Sequence, residues 1–174
     1  MTQQYQKEFL QSEILTWSIT AGLSRGKPVY LKGIAEHAKE RFKKFLRKEL
    51  RDRFGNNDHV NQETHVANLS ALKDDIDQNF KNVLQNGEIY FGRVQKIVNL
   101  YLKYRWICFN EQKPVHCPVD SVVLNEINLP HIRWTKMTVN EYADAVRKIG
   151  VVNGFGKIAE WELEIFNRKN ETYK

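Results

Sequence analysis

Lys96, Asn99 and Lys103 stand at i, i+3 and i+7 of a helical stretch, and Asp120 closes the string Pro114-Val115-His116-Cys117-Pro118-Val119-Asp120 further along the chain. A neutral lysine amine is a nucleophile, and a carboxylate stabilises positive charge that develops on a substrate. Each type also has an ordinary use. Lysines on a helix face usually point to water, and an aspartate before a helix is a standard N-cap contributing about 0.5–2 kcal/mol. Their meaning therefore depends on the elements that hold them.

Those elements read as helices almost throughout. Phe9, Leu10, Ile14, Trp17 and Ile19 recur at helical intervals over 5–22, and Gly22, Gly26 and Pro28 end that run. Ile34, Ala38, Phe42, Phe45, Leu46, Leu50 and Phe54 form one apolar stripe over 31–54, before a loop at Gly55-Asn56-Asn57-Asp58. A third helix is expected over 62–84 and a fourth over 92–109. On the fourth, at about 100° per residue, Val94, Ile97, Val98, Leu100, Tyr101, Tyr104 and Cys108 fall on a core side. Gln95, Lys96, Asn99, Lys103 and Trp106 fall opposite. Pro114 and Pro118 keep the following string extended. Asp120 then caps a short helix, and Thr138-Val139-Asn140-Glu141 is a capping box opening a helix to about Ile149. A last helix covers about 156–167, with a frayed tail after it. No strand pair competes, so the class is all-α: one compact multi-helix domain over 1–174.

The segment Gly92-Arg93-Val94-Gln95-Lys96-Ile97-Val98-Asn99-Leu100-Tyr101-Leu102, followed after a linker by Pro118-Val119-Asp120-Ser121, resembles the helix-hairpin-helix DNA glycosylase superfamily, its 8-oxoguanine DNA glycosylase-like branch most of all. The likeness spans 92–126. It implies a glycosylase-like core over about 62–167, with helices 5–22 and 31–54 packed on it. The stretch Asn86–Gly92 takes the place of the family's hairpin and shares only its glycines.

The resemblance gives Lys96 the nucleophile's place and Asp120 the place of the carboxylate beside the sugar. Breaking an N-glycosidic bond builds positive charge on the sugar, which a carboxylate stabilises. A lysine attacks only when neutral, so such a site needs burial or nearby like charge. Arg93, Gln95, Asn99 and Lys103 are then expected on the DNA-facing side. A base everted from the stack needs a pocket, for which Trp106, His116 and Cys117 are the candidates. The partner implied is double-stranded DNA with a damaged base, an oxidised purine. The reaction implied is glycosylase and AP lyase chemistry through a lysine Schiff base, without a cofactor. A non-catalytic helical nucleic-acid binder or adaptor is the alternative.

Composition narrows the classes. The 174 residues are 41% hydrophobic and 28% charged, with 9 Gly and 4 Pro, which excludes collagen-like and mostly disordered chains. Two cysteines make no disulfide framework, and His116 and Cys117 lack the spacing of a zinc site, so no metal is expected. No apolar run reaches the roughly 18 residues that span a bilayer, and the N-terminal stretch lacks a signal peptide's apolar segment. A soluble, intracellular (cytoplasmic) protein is expected. The net charge is +6, and segment 31–54 carries nine basic side chains against four acids. That basic helix offers either a solvated face or contacts to phosphates, whose binding falls steeply with salt.

Overall fold

The computed structural model describes residues 3–56 and 60–171. Seven α-helices follow one another among them: α1 (Gln3–Leu23), α2 (Glu36–Phe54), α3 (Gln62–Phe80), α4 (Phe91–Phe109), α5 (Ser121–Glu126), α6 (Val139–Asn153) and α7 (Ile158–Glu171). Single 3-10 turns lie at Gln85–Gly87, Trp134–Lys136 and Phe155–Lys157. The chain is all-α. No helix among the described residues is long and apolar enough to cross a membrane.

Side-chain spacing accounts for the packing. Ala38, Phe42, Leu46, Leu50 and Phe54 place one buried residue on each turn of α2, and His65, Leu69, Leu72, Ile76 and Phe80 do the same on α3. The two stripes meet where the rings of Phe42 and Phe80 pack edge to face at 5.0 Å. One contiguous apolar core runs from Leu15 of α1 to Ile158 of α7.

The hub is α4, which packs against α1, α2, α3 and α6. Of its first thirteen residues, 91–103, all but Lys96 are buried. The contact with α1 is tight at Gly22, where an added Cβ would lie 2.2 Å from Ile97 Cγ1. Only glycine fits there.

Local signals set several boundaries. The Asn61 side chain accepts from Thr64 N and starts α3, and Thr138 with Glu141 forms the expected capping box of α6. Other boundaries differ from expectation. α3 stops at Phe80 because the chain turns extended at Leu84 and pairs with the segment after α1. Leu31 N donates to Val83 O and Gln85 N to Val29 O, around an isolated Tyr30–Leu84 bridge. α2 starts at Glu36, not 31, since residues 29–31 are engaged in that pairing. α6 continues to Asn153, where Gly154 at φ 92° ends it. α7 continues to Glu171 rather than fraying at 167, while residues 172–174, like Asn57 and Asp58 of the loop after α2, lie outside the described residues. Cys108, expected toward the core, is exposed.

Candidate functional site

Lys96 and Asp120 come together. Lys96 Nζ donates to Asp120 Oδ2 at 2.7 Å, the lysine side chain 12% and the carboxylate 25% exposed. The other oxygen, Oδ1, accepts from Val122 N at 2.9 Å and Val123 N at 3.2 Å, capping α5. One carboxylate thus starts a helix and faces an amine. Burial by itself pushes the Asp120 carboxyl up, but the Lys96 charge and hydrogen bond, with the two backbone amides, outweigh it. The group is held below its usual value, as an anion.

Gln95 and Asn99 hold the extended string beside α4. The Gln95 carboxamide pairs with both backbone groups of Val119, donating to its carbonyl at 2.6 Å and accepting from its amide at 3.1 Å. Asn99 Nδ2 donates to Cys117 O at 3.0 Å. These residues were expected on a DNA-facing side, and that expectation is corrected: both are fully buried, because the string covers the side of α4 that a helical wheel leaves open.

Arg93 and Lys103 are corrected in the same way. Arg93, 4% exposed, donates to the carbonyls of Gly22, Leu23, Arg25 and Lys27. It closes the carbonyl end of α1, where a cation is favoured. Lys103 pairs with Glu162 of α7 at 2.6 Å, both side chains under 10% exposed. Its ammonium lies 4.7 Å from the Phe166 ring centroid.

The pocket residues also separate. Trp106 is ten residues past Lys96, about 15 Å along the helix axis, so it does not wall the same place. His116 and Cys117, each 1% exposed, belong to the interior. His116 Nδ1 meets Tyr142 Oη at 2.8 Å. Asn99 Nδ2 donates to that oxygen, and His65 Nε2 meets Asn99 Oδ1 at 2.7 Å. Burial pushes the His116 imidazole down to about 3 and His65 below its usual value, so both are neutral. Burial pushes the Cys117 thiol well up, which leaves it unreactive. Among the described residues, no three His, Cys, Asp or Glu side chains are placed to hold a metal ion.

What the spacing missed is the partner at the start of α4. Gly92, one turn before Lys96, donates its amide to Met137 O at 2.9 Å, and an added Cβ would lie 1.7 Å from Trp134 O. The turn Trp134–Lys136 therefore seats on this end of α4. The amide of Gly92 is engaged internally, so it offers nothing to a phosphate. Only a glycine in the first turn could have signalled this. Compared with protein-family models, curated proteins and solved structures, the chain matches none.

Proposed function

We propose that this chain is a base-excision DNA glycosylase with AP lyase activity, acting on double-stranded DNA that bears a damaged base, an oxidised purine. Lys96 is the nucleophile and Asp120 stabilises positive charge at the sugar. The observation that carries the reading is the 2.7 Å contact between Lys96 and Asp120, at the one position of residues 91–103 that is only half-buried. A helix, a short turn with Asn86 and Gly87 at positive φ, a helix with a lysine in its second turn and an aspartate-capped helix follow in the order that the resemblance implies.

The chemistry follows from the two groups. Once the Lys96 ammonium has given up a proton to water, the amine's lone pair forms a bond to C1′ while the bond from C1′ to the base breaks. The electron pair leaves with the base, which takes up the proton the amine loses. Ring opening then gives a protonated imine, from which elimination cuts the strand. The anionic Asp120 stabilises the charge at C1′. Borohydride reduces the imine to a stable protein–DNA adduct. Trapping is expected on duplexes carrying 8-oxoguanine or an abasic site, and is lost in Lys96→Gln and weakened in Asp120→Asn. Folded wild-type protein that yields no adduct on any lesion ends the enzyme reading.

A second reading has its own support. With the Gln95–Val119 and Asn99–Cys117 hydrogen bonds, the Lys96–Asp120 pair forms a row of clasps that docks the string on α4. A non-catalytic nucleic-acid binder or adaptor would keep the same row for stability. It predicts a less stable Lys96→Gln protein and no trapping by the wild type.

A further inference from the structure

A cavity of about 560 Å³ opens where the loop after α1, the turn between α3 and α4 and the turn Trp134–Lys136 meet. Its volume lies in the range of small-ligand sites. Lys27, Arg133 and Lys136 reach it from two of these walls, and Tyr90 lines it from the third. The Lys136 ammonium lies 5.9 Å from the Tyr90 ring centroid. Arg93 contributes to the lining, and Glu88 is the acid among the lining residues.

The charge here is uncompensated. Lys27, Arg133 and Lys136 form no ion pair among the described residues, and Glu88 is itself 3.7 Å from Lys73. Arg93 donates to four neutral carbonyls and meets no carboxylate, so its buried charge adds to the potential of the wall. The basic segment 31–54 differs, because Lys39, Lys43, Lys48 and Arg53 each pair with an acid of their own helix. Four of the nine basic side chains of that segment are thus answered within their own helix, whereas none of the cavity's three exposed-wall cations has an acid partner among the described residues.

The cavity is also built rather than incidental. Arg93 ties down the carbonyls of Arg25 and Lys27, which fixes the loop carrying Lys27. Gly92 lets the backbone of Trp134 seat on α4, which fixes the turn carrying Arg133 and Lys136. Internal phosphodiesters of a long strand carry one charge each and run across open surfaces. A concavity lined by three cations without an acid partner suits a phosphate monoester, which carries about −1.5 to −2 at pH 7. Tyr90, beside Pro28 and Val29, offers an apolar face for a flat ring.

We infer that this cavity binds the phosphate monoester of a nucleoside 5′-phosphate, either a free nucleotide or the phosphorylated end of a nucleic-acid strand. The inference does not depend on Lys96 being a nucleophile. Its test uses the full chain and 3′-fluorescein oligonucleotides with or without a 5′-phosphate, read by anisotropy. Thermal shift with adenosine 5′-monophosphate, and with inorganic phosphate, runs beside it.

If strand ends are the source, the 5′-phosphorylated oligonucleotide binds about tenfold tighter than its 5′-hydroxyl twin, the loss expected for one or two charge-assisted hydrogen bonds. If free nucleotide is the source, the monophosphate raises the melting temperature while the two oligonucleotides bind alike. In either case Arg133→Gln and Lys136→Gln each reduce the effect several-fold, and Lys157→Gln, outside the cavity, leaves it intact. Circular dichroism verifies that the variants are folded. Equal oligonucleotide affinities together with no response to the monophosphate overturn the inference, as does an effect that survives the Arg133→Gln/Lys136→Gln double variant. Borohydride trapping is read separately, so either proposal can fail alone.

Discussion

Two lysines seven residues apart on α4 each face a carboxylate at nearly the same distance, 2.6 Å for Lys103–Glu162 and 2.7 Å for Lys96–Asp120. Their surroundings differ. Lys103 and Glu162 are both sealed between α4 and α7, with Phe166 over the ammonium. Asp120 keeps a quarter of its side chain open to water and spans a helix start with its second oxygen. Closure makes the first pair a strut, whereas the second has a face that another molecule can reach. Two lysine–carboxylate pairs at nearly equal distance thus carry different work, decided by what covers them.

The sealed pair gives the largest expected effect. Lys103→Met strands Glu162 as a buried charge, and breaking a buried pair from one side costs about 3–5 kcal/mol. The double variant Lys103→Met/Glu162→Leu recovers most of that loss. Urea denaturation of the two proteins measures both. If Lys103→Met costs no more than Lys96→Met, the distinction between strut and open site is wrong.

Acid tests the interior behind the string. His65 and His116 are neutral in the fold, with affinities for protons below those of the unfolded chain. Below the ordinary imidazole value of 6.5 the unfolded state binds more protons, so stability is full above that pH and falls beneath it. For His116 the fall continues toward about 3. Each histidine removes at most about 1.4 kcal/mol per pH unit. Asp120, held below its usual 3.8, adds to the loss only once the pH falls below about that value. Urea midpoints at pH 7.5, 6.0 and 5.0 should therefore drop in order. A flat profile over that range contradicts neutral, buried imidazoles.

At the open pair the expected cost is smaller and the two oxygens of Asp120 separate. Asp120→Ala loses both the cap and the amine contact, about 1–2 kcal/mol. Asp120→Asn keeps an N-cap acceptor and loses less than Asp120→Ala, while the charge facing Lys96 disappears. Thermal denaturation ranks the two. Equal losses would mean that the cap contributes nothing.

What could be read from the chain follows the range of each interaction. The stripes of α2 and α3, the Asp120 cap and the Thr138–Glu141 box depend on neighbours within four residues, and their patterns lie open in the sequence. The assignment of faces on α4 was not legible. A helix covered on nearly every side has no solvent face for a wheel to find. Its polar residues are answered from far along the chain: Gln95 by Val119, Asn99 by Cys117, Lys103 by Glu162 and Arg93 by carbonyls of the α1 end. The same holds for Trp134, which reaches α4 through a turn some forty residues away, where Gly92 leaves room for it. Lys96 was picked out by resemblance. Its partial exposure, which separates it from Lys103, is a property of packing.

The smallest effect comes from a pair that lacks both features. Lys113 and Glu160 form an ion pair with each side chain 39% exposed, and neither caps a helix. Water screens the attraction, and ordering two long side chains opposes it, so Lys113→Gln should shift stability by no more than about 0.5 kcal/mol. Lys113 also donates to Gly156 O at 2.9 Å, a contact that a glutamine amide can replace. Urea midpoints in low and high salt check this: the small difference should shrink further as salt rises. A loss comparable to that of Asp120→Ala would show that exposure does not rank these pairs, and the contrast drawn along α4 would lose its physical basis.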